Sequence, residues 1–129
     1  MTDRAPRRLV DRQPHGRADV LVVGVADIYQ AEVTERLGRQ IRQAIEASEA
    51  QAFILDLSAV RFLTSGAMGL LINLRAQLAE RHYGFALAAA AGEVAYVFEC
   101  TRLAQVMPVY PTVEKALRDL MTPETCDCP

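Results

Sequence analysis

Residues 53–71 put the strongest constraint on the fold, because the sequence changes there from a strand-like to a helix-like pattern within one short turn. The segment begins with the apolar run 53–57, which is typical of a buried strand. A hydroxyl pair, Thr64 and Ser65, follows the turn, and apolar residues then recur at helical spacing. We therefore predict a strand that leads directly into a helix beginning near Thr64.

The rest of the chain repeats this alternation of strand and helix patterns. Strands are predicted at 8–10, 18–25, 52–57, 85–90 and 105–109, with a turn at 13–16. The first helix is predicted from the fourfold spacing of Val33, Leu37, Ile41 and Ile45. The second is predicted to end at Tyr83-Gly84 and to point a set of apolar side chains inward: Met68, Leu71, Ile72, Leu74 and Leu78. A short helix near 94–98 and a closing helix at 113–120, capped by Thr112, complete the pattern.

This alternation predicts an α/β fold, because strands joined through helices form right-handed βαβ crossovers with parallel strands. A chain of 129 residues provides one hydrophobic core, so we expect a single domain spanning 1–129. The prediction is a four- to five-stranded mixed sheet with about four helices mainly on one face. Its core is expected at about 8–121, with disordered tails at 1–7 and 122–129.

Composition and charge narrow the classes of function. A formal net charge of -2 offers no basic surface for nucleic acid. The apolar runs are too short to span a bilayer, and the basic N-terminus is not followed by the apolar segment of a signal peptide. We therefore expect a cytoplasmic protein that does not insert into membranes.

The residues that could support catalysis are few. His15 and His82 lie in polar surroundings, away from any nucleophile and carboxylate in the sequence. Asp56 ends an apolar strand, where an Asx turn to backbone amides is its expected role. Cys126 and Cys128 lack the second pair of donors that a zinc site needs. The sequence therefore shows no residues arranged for hydrolytic or redox chemistry, so we expect no catalytic site, cofactor or metal.

The hydroxyl pair at the predicted helix start has two possible roles. The first amides of a helix have no partner within it, and the peptide dipoles add partial positive charge there. Ser65 can accordingly cap the helix, or its hydroxyl can accept a phosphate that the helix end stabilises. Local sequence leaves both roles open.

The central motif and the order of elements resemble the STAS domain of anti-sigma factor antagonists, over roughly residues 18–121. That family shows an apolar strand with Asp-Leu-Ser, a hydrophobic turn, and Asp-Ser-Ser-Gly-Leu-Gly at the start of a helix. The matching stretches here are Phe-Ile-Leu-Asp-Leu-Ser at 53–58, Val-Arg-Phe-Leu at 60–63 and Thr-Ser-Gly-Ala-Met-Gly at 64–69. The early Gly-Glu-Leu-Asp loop of the family appears as Gly-Val-Ala-Asp at 24–27.

The resemblance implies that Ser65 is the phosphorylated serine, since it lies nine positions after Asp56. A shift of the alignment by one residue would make Thr64 the acceptor, which is the alternative. Four residues depart from the motif: Thr64 replaces its aspartate, Gly66 its second serine, Ala67 its first glycine and Met68 its leucine.

The function that the resemblance implies is regulation of bacterial transcription, including stress responses. The antagonist binds an anti-sigma factor of the histidine-kinase-like ATPase type, which phosphorylates the serine and so dissociates the complex. The expected partner surface comprises Asp27, Ile28, Tyr29, Arg61, Thr64, Ser65, Gly66 and Asn73. The alternative is a STAS subunit of a membrane lipid-transport ATPase or of a stress-sensing complex.

Overall fold

A computed structural model describes residues 9–24, 27–28, 31–105 and 107–121. At residues 27, 104 and 121 it describes the backbone only. It contains seven strands and four helices in an alternating order. The strands are β1 Val10–His15, β2 Ala18–Val23, β3 Asp27–Ile28, β4 Ala52–Asp56, β5 Phe62–Leu63, β6 Gly84–Ala88 and β7 Val109–Tyr110. The helices are α1 Ala31–Glu46, α2 Ser65–Glu80, α3 Gly92–Thr101 and α4 Val113–Met121, with a short 3-10 helix at Leu103–Gln105.

Five strands form one mixed sheet in the order β1-β2-β4-β6-β7. β1 is antiparallel to β2, whereas β2, β4, β6 and β7 are parallel to one another. Leu21, Leu55 and Leu87 lie side by side across the three central strands. β2, β4 and β6 are buried along nearly their whole length, on both faces of the sheet, as their continuous apolar sequence indicates.

Side-chain alternation along the strands divides the core into two unequal parts. One face of the sheet contributes residues such as Leu21, Phe53 and Leu87 to a large cluster with α1, α2 and α3. The other face contributes Val20, Ile54 and Ala88, which pack with Ala116 and neighbouring side chains of α4. The predicted α/β fold with helices mainly on one face is thus confirmed.

The N-terminal strand is longer than the sequence predicted. β1 extends through Gln13, Pro14 and His15, where we expected a turn, and the chain reverses at Gly16. Gly16 has a φ of 70°, which glycine adopts without steric cost. The strand prediction failed here because proline can occupy an edge strand, whose outer amides need no partner in the sheet.

Two details of the second helix also differ from the prediction. Ile72 does not point inward: its side chain is 37% exposed, whereas Leu71 beside it is 3% exposed. The helix ends at Glu80 with Arg81 as its C-cap, and Gly84 begins β6 instead of closing the helix. The left-handed residue after the helix is His82, with a φ of 62°.

The C-terminal part departs from the prediction at one strand. The segment expected to form a strand at 105–109 begins with the 3-10 helix, and only Val109 and Tyr110 pair with β6. Val106 and both predicted disordered tails lie outside the described residues. Thr112 caps α4 as predicted, since its hydroxyl accepts a hydrogen bond from the amide of Lys115 at 3.1 Å.

Candidate functional site

The candidate site begins at the carboxyl end of β4, where the chain turns toward α2. Asp56 Oδ1 accepts a hydrogen bond from the amide of Ser58 at 2.9 Å. This Asx turn is the role expected for Asp56, and it stabilises the reversal of the chain after the strand. β5 then leads directly into Thr64 and α2.

Thr64 is the N-cap of α2. Its backbone is extended, with φ -94° and ψ 173°, and its Oγ1 accepts a hydrogen bond from the amide of Ala67 at 3.3 Å. Its own amide donates to the carbonyl of Ile28 at 3.2 Å, which fixes the residue against β3. The capping role considered for Ser65 therefore belongs to its neighbour.

Ser65 is the first residue of α2 and is exposed. Among the described residues, its hydroxyl has no hydrogen-bond partner, and the amides of Ser65 and Gly66 have no acceptor. These are the free donors expected at a helix start once the cap has satisfied one amide. The fold thus leaves the Ser65 hydroxyl and two adjacent donors accessible from solvent.

The charge at this helix start differs from that of the other helices. The first turns of α1, α3 and α4 contain Glu32, Glu93 and Glu114, whereas the first turn of α2 has no acidic residue. The partial positive charge of the helix dipole is therefore not offset by a carboxylate at Ser65. A negative group added to this hydroxyl would be stabilised by the dipole.

The early loop lies beside this turn, as the sequence predicted. β3 pairs with β5, which brings Asp27 opposite Phe62 and Ile28 opposite Leu63. Ile28 is only 1% exposed, so its side chain belongs to the core and not to the expected partner surface. The resemblance placed Ile28 on the partner surface together with the rest of the early loop, whereas the pairing of β3 with β5 buries its side chain. Tyr29 lies outside the described residues.

The remaining predicted surface residues are accessible. Arg61, Gly66 and Asn73 are exposed, and Thr64 is partly exposed. Sequence reasoning missed Phe62, whose side chain is 42% exposed between Arg61 and the buried Leu63. The two-residue length of β5 explains this, because so short a strand gives no readable alternation of faces.

A second feature that the sequence analysis missed is an uncharged stripe along the outer side of α2. Ser65, Gly69, Ile72 and Ala76 follow helical spacing and share one face. Ser65, Ile72 and Ala76 are exposed, and a Cβ built on Gly69 would meet no atom within 4 Å. The near absence of charge in 65–74 was the available signal, since a solvated helix normally has a polar outer face.

The described residues include no group of three or more metal-binding side chains, and no described helix has the length and apolar character that crossing a bilayer requires. Cys100 is a free, exposed thiol, while Cys126 and Cys128 lie outside the described residues. The accessible serine at the start of α2 and the stripe beyond it are therefore the features that distinguish this surface.

Comparison with known proteins places the chain in one family. The STAS domain model matches residues 14–116. No curated protein sequence is significantly similar to the chain.

Three solved relatives share the fold. An anti-sigma factor antagonist from Mycobacterium paratuberculosis is 27% identical, with a TM-score of 0.68, covering 87% of this chain and 92% of its own. A candidate antagonist from Thermotoga maritima is 17% identical, with a TM-score of 0.76 and coverages of 87% and 94%. Phosphorylated SpoIIAA of Bacillus is 18% identical, with a TM-score of 0.61 and coverages of 84% and 96%. A sulfate transporter family protein and an anion transporter share the fold as well, so the fold alone does not assign a function.

Proposed function

The chain belongs to the STAS domain family, and we propose that it is an anti-sigma factor antagonist regulated by phosphorylation of Ser65. In this proposal the unmodified protein binds an anti-sigma factor, and binding releases a sigma factor for transcription. Phosphorylation of Ser65 then weakens the complex. The protein acts by binding and carries out no chemistry of its own.

The proposal rests on one observation, which is that the two hydroxyls at the start of α2 have different roles. The Thr64 hydroxyl is engaged by the amide of Ala67, whereas that of Ser65 is exposed and has no partner among the described residues. A kinase can therefore modify Ser65 without breaking the cap. Modification of Thr64 would instead disturb the hydrogen bond that begins the helix.

The electrostatics favour a change of affinity over a change of structure. A phosphoserine carries about -1.5 to -2 charges at neutral pH and adds strong acceptor oxygens. The free amides of Ser65 and Gly66 and the dipole of α2 stabilise this charge in the isolated protein. Within an apolar contact the same charge must lose its hydration, and a cost of about 3 kcal/mol lowers affinity roughly a hundredfold.

The uncharged stripe on α2 is the reason why a charge on Ser65 would weaken partner binding. Because Ser65 is followed on the same face by Gly69, Ile72 and Ala76, a partner that covers the stripe also covers the hydroxyl. Small residues allow close approach of a partner backbone, and Ile72 supplies apolar area to bury. A phosphate at the end of this stripe would therefore be enclosed by the contact.

The resemblance further implies that the partner is an ATPase of the histidine-kinase-like type that phosphorylates its own antagonist. The solved phosphorylated form of SpoIIAA supports the step, because it shows that a protein of the same fold exists in a phosphorylated state. Thr64 replaces the motif aspartate, so the residue beside the Ser65 hydroxyl carries no charge and the positive end of the α2 dipole acts directly on that hydroxyl.

The test uses the protein with the anti-sigma factor kinase encoded in its own genome and ATP. We expect mass spectrometry to locate one phosphate on Ser65 and the complex to dissociate. Ser65→Ala should bind the kinase and remain bound in the presence of ATP, while Ser65→Glu should bind more weakly without ATP. Ser58→Ala is the control for phosphorylation alone, because Ser58 is also an exposed hydroxyl and lies in the preceding turn.

Different outcomes separate the parts of the proposal. Phosphate on Thr64 would contradict the choice of acceptor. Labelling of Ser65 with unchanged affinity of Ser65→Glu would contradict the charge mechanism. Binding to the soluble components of a lipid-transport ATPase, with no binding to any anti-sigma factor, would support the alternative function instead.

A further inference from the structure

A groove of about 610 Å³ lies beside the candidate site, between the turn before α2 and the start of α3. Phe62 and Ser58 line one side of it, and Gly92 and Glu93 line the other. Phe62 is 42% exposed, although α3 packs against β5. Because Phe62 lies three positions before Ser65, the groove continues the surface that the proposed function uses.

The exposed side of α3 extends this groove with acidic and aromatic residues. Glu93, Tyr96 and Glu99 are exposed at helical spacing, and Tyr96 is 66% exposed. The helix itself contains no lysine or arginine, and the exposed Arg102 follows it as the C-cap, beyond Glu99. This side of the molecule therefore combines negative charge with two of the three large apolar side chains exposed in the described part of the chain.

Folding accounts for only part of this arrangement. Glu93 favours the start of α3 through the helix dipole. Glu99 lies near the opposite end, where a negative charge is disfavoured, and Tyr96 lies outside the core cluster. Phe62 and Tyr96 are residue types that commonly anchor protein contacts.

We propose that the groove and the exposed side of α3 form a second region of the partner contact, which accepts an apolar side chain beside a basic one. The apolar side chain would enter between Phe62 and Gly92. The basic side chain would lie near Glu93 and Glu99, away from Arg61 on the opposite wall. This inference rests on the proposed function, because it assigns the second region to the same anti-sigma factor.

The experiment measures association and dissociation of the anti-sigma factor identified by the Ser65 assay, at low and high salt. Glu99→Lys should slow association severalfold at low salt, with a smaller difference at high salt, because rim charges act mainly on encounter. Phe62→Ala should raise the dissociation rate about tenfold, as loss of an anchor residue does. Glu114→Lys on α4 is the charge control and should leave both rates unchanged, since it lies on the other face of the sheet.

Three outcomes decide the inference. Wild-type rates for Glu99→Lys and Phe62→Ala, with Ser65→Glu still weakened, would overturn this second region and leave the proposed function intact. Equal slowing by Glu99→Lys and Glu114→Lys would show a general charge effect and would also overturn it. Failure of the wild-type protein to bind any anti-sigma factor would overturn both proposals. Thermal unfolding of each variant verifies that the rates report on contact and not on folding. Each variant should unfold cooperatively near the wild-type temperature, with Glu114→Lys slightly less stable because it removes a favourable charge from the start of α4.

Discussion

At the scale of single residues, the start of α2 shows how two adjacent hydroxyls can have separate roles. Thr64 has an extended backbone and faces into the turn, where its hydroxyl satisfies the amide of Ala67. Ser65 has entered the helix and projects toward solvent. The stability of the helix start and the accessibility of the Ser65 hydroxyl can therefore be changed independently.

Replacing Thr64 should lower the stability of the fold, because Thr64 is the helix cap, whereas replacing Ser65 should not. Thr64→Ala leaves the amide of Ala67 without its acceptor, and we expect a loss of about 1 kcal/mol in unfolding free energy. Thr64→Ser should retain most of that stability, because serine caps helices at least as well. Urea denaturation of these variants and Ser65→Ala tests the assignment, and a larger loss for Ser65→Ala would contradict it.

Gly69→Ala should stabilise the fold but weaken partner binding. An alanine there meets no atom within 4 Å, so higher helix propensity should raise the unfolding free energy by about 1 kcal/mol. The added methyl group would project from the uncharged stripe and should weaken anti-sigma factor binding.

Gly38→Ala is the matched control for Gly69→Ala. Its Cβ would lie 2.9 Å from Leu70 Cδ1, so the same propensity gain should be offset by displacement of that side chain. Unchanged binding by Gly69→Ala would show that the stripe lies outside the partner contact, whatever its effect on stability.

At the scale of elements, α2 contributes one side to the core and presents the other to solvent, yet both sides are largely apolar. Its buried side chains include Leu71, Leu74 and Leu78, which pack in the larger cluster. Before Glu80 its exposed residues carry no charge, whereas charged residues cover the outer side of α1. This difference explains why helical periodicity correctly placed Leu37, Ile41 and Ile45 of α1 in the core but misplaced Ile72. Val33, at the start of α1, is only half-buried.

Neighbouring substitutions on α2 should distinguish its two sides. Leu71→Ala should lower the unfolding free energy by about 2–5 kcal/mol, because it leaves a cavity in the large cluster. Ile72→Ala should cost less than about 1 kcal/mol, since its side chain is 37% exposed, but should reduce partner affinity. Thermal denaturation combined with a binding titration separates the two effects, and similar stability losses would contradict the observed orientation.

At the scale of the whole molecule, α4 covers the face of the sheet opposite α1, α2 and α3 in the described part of the chain. It is also hydrogen-bonded to the edge strand β7. The hydroxyl of Tyr110 on β7 donates a hydrogen bond to Asp119 Oδ2 on α4 at 2.9 Å. Burial, together with this hydrogen bond and the carboxylate charge, raises the pKa of Tyr110 from 10.0 to about 12. The neutral phenol is therefore the form that the fold stabilises.

This contact should weaken at alkaline pH. Because the pKa of Tyr110 is higher in the folded state, its contribution is complete below pH 10 and declines as the pH rises toward about 12. Above that pH the phenolate faces the Asp119 carboxylate. The stability difference between wild type and Tyr110→Phe should thus favour wild type at neutral pH and diminish over this interval. Denaturant titrations from pH 8 to 12 measure it, and a constant difference would contradict the pKa shift.

The sequence predicted the overall fold well because long apolar runs and strong helical periods determine it. The buried strands at Ala18–Val23, Ala52–Asp56 and Gly84–Ala88 could be predicted because both faces are covered. Short elements escaped prediction: two-residue strands such as Val109–Tyr110 depend on pairing with distant residues and leave no pattern in the sequence. The extension of β1 through Pro14 depended on its edge position, which only the three-dimensional sheet reveals.

The candidate site was predictable in position but not in detail. Spacing from Asp56 led to Thr64 and Ser65, and both lie at the helix start. Which hydroxyl caps the helix depends on the backbone angles of Thr64, and the sequence does not encode those locally. The exposure of Phe62 and Ile72 and the burial of Ile28 follow from the packing of several elements together.

The position of Pro14 in β1 has a consequence for how copies of the chain meet in a crowded cell. Exposed sheet edges recruit further strands and so promote aggregation. Here the Gln40 side chain accepts hydrogen bonds from the amides of Leu9 and Val10 at 2.7 and 3.2 Å, and Pro14 has no amide to offer. In an antiparallel ladder the amides of alternate residues point away from the partner strand. Arg12 therefore has the one outward-pointing amide between Val10 and Pro14. The outer edge of β1 is consequently a poor template for an added strand, which protects the protein against edge-to-edge self-association.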